Sequence, residues 1–228
     1  MQILFEDHHF IAVNKPGALL TQAPPGIPSL EAMVKDYIRT AYAKPTGVYL
    51  GIPHRLDRPV SGVVLFARNS KAAARVAKQF HDHTVQKTYW ALVEAGPADK
   101  TGEWVDHLRK KQDEPCVEVV EAGTEGSREA ITGYRVLKRE NGLALMELLP
   151  RTGRMHQLRV QAAVRGWPIV GDAFYGSQRS FGPDAELPRD RLIALHAKQL
   201  ALEHPFRHEP LMIDADTPAA WGAVSRDA

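Results

Sequence analysis

An unbroken apolar run, Val63-Val64-Leu65-Phe66-Ala67, constrains this chain more than any other stretch. It directly follows the charged segment Pro53-His54-Arg55-Leu56-Asp57-Arg58-Pro59-Val60-Ser61-Gly62. A short run of β-branched, aliphatic and aromatic residues bounded by turn formers reads as a buried strand. The decapeptide is then the loop that feeds this strand, and loops held on rigid strands are common seats of function. Asp57 stands there between Arg55 and Arg58. Residue types alone leave two readings open: a reactive carboxylate, or one that tethers a turn through arginine pairs.

The surrounding pattern is mixed. Ile3-Leu4-Phe5 and Phe10-Ile11-Ala12-Val13 flank the polar turn Glu6-Asp7-His8-His9, which predicts a strand pair. Asn14-Lys15-Pro16-Gly17 ends the second strand, and Lys15 beside that turn is placed either to meet a phosphate or to stay solvated. Ser29 is the expected cap of a helix through Tyr42, with Leu30, Met33, Val34, Tyr37 and Ile38 at helical spacing. Ser70 is the expected cap of a second helix to about Phe80, whose Lys71, Arg75 and Lys78 share a face. His81-Asp82-His83 lacks the further spaced ligands that a metal site needs.

Gln86-Lys87-Thr88-Tyr89-Trp90-Ala91-Leu92-Val93 reads as a strand with Tyr89 and Trp90 on opposite faces. Residues 130–138 and 143–149 predict a hairpin across Asn141-Gly142. Leu192 to Ala197 is a further strand candidate, and Pro205 makes His204 to His208 a hairpin corner rather than a zinc helix. Interleaved strand and helix signals favour an α+β fold with mainly antiparallel strands.

Bulk properties bound the possibilities. The 228 residues suffice for one large domain or two closely packed halves. Lys and Arg total 29 against 27 Asp and Glu, and the pI near 8.7 tilts weakly towards anionic partners. Cys116 is the only cysteine, which excludes an intrachain disulfide and a cysteine-rich zinc site and fits a reducing, cytoplasmic compartment. Neither a signal segment nor a membrane-spanning run is predicted.

A second polar constellation is Pro150-Arg151-Thr152-Gly153-Arg154-Met155-His156-Gln157-Leu158-Arg159-Val160-Gln161. Its arginines need anions, carboxylate or phosphate, because an unpaired buried guanidinium is too costly. Arg159 lies furthest into the expected helix and is the one placed to point inwards at an acidic partner.

Together these segments resemble the RluA-type family of pseudouridine synthases. The resemblance rests, in order, on Ile11 to Gly17, His54-Arg55-Leu56-Asp57 with Ser61-Gly62, and Lys87-Thr88-Tyr89-Trp90-Ala91. It continues through Thr152 to Val160 with Gly171-Asp172 and Tyr175-Gly176, and ends on Leu195-His196-Ala197 followed by His204-Pro205. The match spans nearly the whole chain, so it implies one catalytic domain over residues 1–228, without room for an N-terminal S4 RNA-binding module. The implied fold is a pseudouridine synthase fold: a long mixed, mainly antiparallel sheet with flanking helices and a central RNA-binding cleft.

The implied activity is isomerisation of uridine in a transfer or ribosomal RNA stem-loop, with no metal or organic cofactor. Asp57 matches the family's catalytic aspartate, acting by attack on C1′ or by removal of a 2′ proton. Arg159 is similar to its basic partner, and Tyr89 to the tyrosine that stacks on the target base. Leu195 resembles the apolar residue on the other side of the uracil, and Arg55 the arginine that fills the vacated stack. Arg58, Lys15 and Arg154 become candidate phosphate contacts. Two positions depart from the pattern, Met155 where a small hydroxyl residue is usual and Gln161 where histidine is frequent, so local RNA contacts are expected to differ there. A monomer is the default. The competing reading is an RNA-binding or RNA-chaperone module on the same scaffold; a single-aspartate hydrolase is more distant, since it lacks a second carboxylate.

Overall fold

The computed structural model describes residues 1–44 and 47–225. The strands are β1 (Gln2–Glu6), β2 (Phe10–Lys15), β3 (Ser61–Ala67), β4 (Gln86–Glu94) and β5 (Thr101–Lys110). They continue with β6 (Val117–Val120), β7 (Arg128–Glu140), β8 (Leu143–Pro150), β9 (Leu195–Glu203) and β10 (Pro210–Asp214). The helices are α1 (Leu30–Ala41), α2 (Ser70–His81) and α3 (Gln157–Ala163). Two compact units result: Met1–Val85 with Ala185–Asp190 and Ala197–Pro218, and Gln86–Asp184 with Arg191–His196 and Ala219–Ala228.

In the first unit β1, β2 and β3 pair antiparallel in chain order, and β10 pairs antiparallel with β9. The turn between β1 and β2 closes on Asp7, whose Oδ1 accepts from the backbone N–H groups of His9 and Phe10. All seven residues of β3 are buried, as the apolar run requires. Gly62 within it lies at φ +118°, and a Cβ there would sit 2.3 Å from the Ala197 oxygen, so only glycine admits β9 at that point. The core of this unit joins Phe10, Val63 and Leu65 to Val76 of α2 and to Leu200, Leu202 and Ile213 of the β9–β10 hairpin.

Both predicted helices are present, with local corrections. Ser29 caps α1 by accepting from Ala32 N, and α1 buries Leu30, Val34 and Ile38 while Met33 stays exposed. The cap of α2 is Asn69, whose Oδ1 accepts from Ala72 N at 2.8 Å, rather than Ser70. An amide oxygen one residue earlier fills the role expected of the serine. Of the basic residues of α2, Arg75 donates to the Pro205 oxygen and lies over the Phe206 ring, and Lys78 pairs with Asp82. His204 and Pro205 sit at the corner between β9 and β10, as predicted. His204 is buried: its Nδ1 accepts from the N–H groups of Phe206 and Arg207, so Nε2 carries the proton donated to Asp7.

In the second unit the strand order is β4-β8-β7-β5-β6, antiparallel throughout. The β7–β8 hairpin turns at Asn141 and Gly142, both at positive φ (52° and 73°), the geometry that an Asn-Gly pair favours. α3 packs Val160 against Leu108, Val117 and Ala130. β9 begins at Leu195, later than the expected Leu192, and extends to Glu203.

Candidate functional site

The loop bearing Asp57 belongs to the first unit and is fastened from several directions. His54 Nε2 accepts from Leu65 N at 3.0 Å, which ties the loop to β3 and leaves the ring proton on Nδ1. Thr21 clamps Leu56 on both sides, its hydroxyl donating to the Leu56 oxygen at 2.9 Å and accepting from Leu56 N at 3.1 Å. The turn closes on itself through Val60 N and the Asp57 oxygen. Arg58 pairs with Asp190 at 2.7 Å. Thr21 and Asp190 carry no motif signal, and sequence reasoning missed both.

Lys15 is the main correction. It does not lie at the surface to meet a phosphate; it is fully buried in β2. Its ammonium donates to the oxygens of Pro16 (2.9 Å), Leu19 (2.7 Å) and Arg58 (3.2 Å). Burial pushes its pKa down to about 7, against the opposing pull of Asp57. Lys15 thus braces the Asp57 loop from below. Asp57 itself is half-buried. Arg55 is exposed, and its side chain makes no hydrogen bond or ion pair among the described residues, so it is not the ion-pair partner of Asp57.

In the second unit the Thr152-to-Gln161 segment builds a buried polar network. Thr152 Oγ1 donates to Gln157 Oε1 (2.8 Å) and accepts from Ile131 N (2.9 Å). Gln157 Nε2 donates to the Ile131 oxygen and to Thr132 Oγ1, and Thr132 in turn donates to Gln161 Oε1. Gln161 completes the chain by donating to Asp106 and to the Ala130 oxygen. Gln161 is fully buried, so its departure from the family pattern alters a core network and not an RNA contact. Met155 is exposed.

Arg159 is buried and makes a bidentate pair with buried Asp172, Nε to Oδ2 at 2.7 Å and Nη2 to Oδ1 at 2.9 Å. Its guanidinium also lies over the Tyr175 ring, 5.0 Å from the centroid. Asp172 lies in the Gly171-Asp172 motif, and this pair gives it a structural role. The bond engages two of the five N–H donors of a guanidinium. Beyond it, Tyr175 Oη accepts from Val117 N (3.1 Å) and hydrogen-bonds His156 Nδ1 at 2.9 Å. Burial pushes the Tyr175 hydroxyl up to about 12.

Tyr89 is half-buried on β4, opposite Leu148 of β8. Two residues earlier on the strand, and so on the same face, Lys87 donates to the Thr152 oxygen at 3.2 Å. Arg154 holds the neighbouring loop by donating from Nε to the Glu129 oxygen (3.0 Å). Leu195 is buried at the first residue of β9. Tyr89, Arg154, Arg159 and Leu195 therefore belong to the second unit, and Lys15, Arg55, Asp57 and Arg58 to the first.

The sequence model of the family described as RNA pseudouridylate synthase matches residues 9–164. A tRNA pseudouridine synthase C of Vibrio parahaemolyticus is 31% identical over 97% of this chain and 92% of its own length. A ribosomal large subunit pseudouridine synthase C of Rickettsia felis is 32% identical over 95% of this chain and 67% of its own. Among solved structures, human RNA pseudouridylate synthase domain containing 4 superposes with a TM-score of 0.77 at 25% identity, covering 95% of this chain and 88% of that one. No helix among the described residues is long and apolar enough to cross a membrane. With the matched segment running from the turn before β2 into α3, through both polar constellations, the chain belongs to the RNA pseudouridylate synthase family.

Proposed function

We propose that this enzyme, an RNA-modifying isomerase by its family, converts uridine to pseudouridine in a stem-loop of tRNA or ribosomal RNA, with Asp57 as its catalytic carboxylate. The observation that carries the reading is the loop of Asp57. His54, Thr21 and Lys15 hold its backbone, while Asp57 keeps solvent access and Arg55 beside it stays unpaired among the described residues. Catalytic groups work when their supports are rigid and their reactive atoms reachable.

Arg159, fixed by its bidentate pair with Asp172, serves as the basic residue that the family resemblance assigns to it. Tyr89 stacks on the extruded uracil and Leu195 packs on its other side. Extruding the nucleotide costs roughly a few kcal/mol of lost stacking, and Arg55 offsets it by filling the vacated place. Two chemical roles are open to Asp57, attack on C1′ or removal of the 2′ proton. Either one frees uracil to turn and bond through C5, with no second carboxylate needed. Arg154 is the leading phosphate contact; Arg58 contributes the donors that its pair with Asp190 does not engage. The protein acts as a monomer in the cytoplasm.

The test is to incubate purified protein with unmodified transcripts of bacterial tRNA and ribosomal RNA and to map pseudouridine. The wild type forms it. Asp57→Ala forms none, while its thermal unfolding and RNA binding match the wild type. Equal modification by both proteins would overturn the assignment, and binding without modification by either would favour the RNA-chaperone reading.

A further inference from the structure

We propose that Lys87 and Arg154 form a phosphodiester-binding site beside Tyr89, which receives a backbone phosphate of the target nucleotide or its neighbour. The inference deepens the function proposed above and rests on its placement of the base at Tyr89.

Two cations stand close together here, with no carboxylate paired to either among the described residues. Lys87 is half-buried at the start of β4, and among the described residues its ammonium hydrogen-bonds the Thr152 carbonyl at 3.2 Å. Arg154 belongs to the loop that follows Thr152, and its Nε is held by another carbonyl, that of Glu129. Neither side chain has an ion pair among the described residues. The charged group that acts on Lys87 is Arg154, of like sign; together with burial, the larger cause, it pushes the lysine down to about 8.

A purely structural lysine does not account for this. One neutral acceptor compensates poorly for a half-buried ammonium, and a second cation alongside raises its cost further. The fold recovers that cost if an anion arrives. Residue 153 is the right kind of neighbour: a Cβ placed on Gly153 would meet nothing nearer than Lys87 Nζ, at 3.7 Å, so the approach is open. Strand alternation sets Lys87 and Tyr89 on one face of β4, with Cα atoms about 7 Å apart. A phosphate on the two cations therefore lies within about one nucleotide of a base stacked on Tyr89. Fixed cations that contact phosphate position a strand without reading its sequence.

The site predicts a change in salt dependence. Equilibrium binding of an unmodified bacterial tRNA transcript is measured at 50 and 200 mM KCl for wild type, Lys87→Met, Lys87→Arg, Arg154→Met and Gly153→Asp. Each phosphate contact contributes a slope of about 0.7 to 0.9 in log affinity against log salt. Losing one contact reduces the ratio of affinities at the two salts by about threefold. Lys87→Met and Arg154→Met each show that reduction, with a raised KM for pseudouridine formation, and Lys87→Arg retains the wild-type slope. Gly153→Asp sets a carboxylate between the cations at an exposed position, and it reproduces the loss even if Lys87→Met fails to fold. Wild-type slopes in folded Lys87→Met and in Gly153→Asp would overturn the site. If that occurs while the wild type still forms pseudouridine, the phosphate site alone falls. If the wild type forms none, the catalytic reading falls, and the slopes still decide the site.

Discussion

The ammonium of Lys15 donates to the carbonyl oxygen of Arg58 at 3.2 Å, so the end of β2 supports the residue next to Asp57. The same ammonium donates to Pro16 and Leu19. A buried lysine thus joins the turn after β2 to the loop before β3.

That arrangement makes stability depend on pH. Burial, opposed by Asp57, holds Lys15 at about 7 in the folded protein, whereas the unfolded chain restores the ordinary value of 10.5. Between these values the unfolded state binds more protons, so the contribution of Lys15 to stability is least below about pH 7 and rises with pH across the window. Lys15→Met removes the titrating group. In urea denaturation between pH 6 and 10, the wild type gains on the variant by up to about 1.4 kcal/mol per pH unit above neutrality. A difference that is flat with pH would show that Lys15 is not buried in this way.

Thr21→Val retains shape at the clamp on Leu56 and removes both of its hydrogen bonds. Leaving two buried backbone groups without partners costs about 1–3 kcal/mol for each in chemical denaturation. Because the clamp adjoins Asp57, turnover falls severalfold at temperatures where the variant is still folded. Unchanged kcat in a variant with lowered stability would confine Thr21 to a structural role.

Asp172→Asn tests the buried pair with Arg159. It withdraws a carboxylate from a buried guanidinium, at a cost of about 3–5 kcal/mol. The double variant Arg159→Met/Asp172→Leu is less destabilised than Asp172→Asn, because it buries no charge. Urea midpoints for the three proteins read the order directly, and the reverse order would show that the pair stabilises more than its desolvation costs.

Two glycines at positive φ separate steric need from conformational need. Gly62→Ala drives a Cβ to 2.3 Å from the Ala197 oxygen, whereas Gly142→Ala meets nothing within 4 Å. The first loses roughly 4 kcal/mol or fails to yield soluble protein, since a backbone clash adds to the strain of φ. The second loses only about 1 kcal/mol. Thermal unfolding of both variants checks the contrast.

Much of the fold was legible because local chemistry and tertiary packing agree. The apolar run at Val63 is a strand buried throughout, Asn141-Gly142 turns a hairpin, and Ser29 caps a helix. The cap of α2 is Asn69 and not Ser70, because the side-chain oxygens of both can accept from the first N–H groups of a helix and only backbone geometry selects between them. Met33 fits the helical period of α1 yet stays exposed, since the period marks a face and not how much of it is covered.

The sequence by itself determined the family, several of the strands and helices, and the loop that carries Asp57, because those depend on short-range periodicity and dense motifs. Tertiary structure decided where each charge goes. Lys15, read as a phosphate contact, is enclosed by carbonyls; Arg159 found Asp172; and Lys87, unremarked beside Tyr89, was brought next to Arg154. The physical reason is that a charged side chain is assigned by its burial and its distant neighbours. Both are properties of the folded chain, set by residues far away along it.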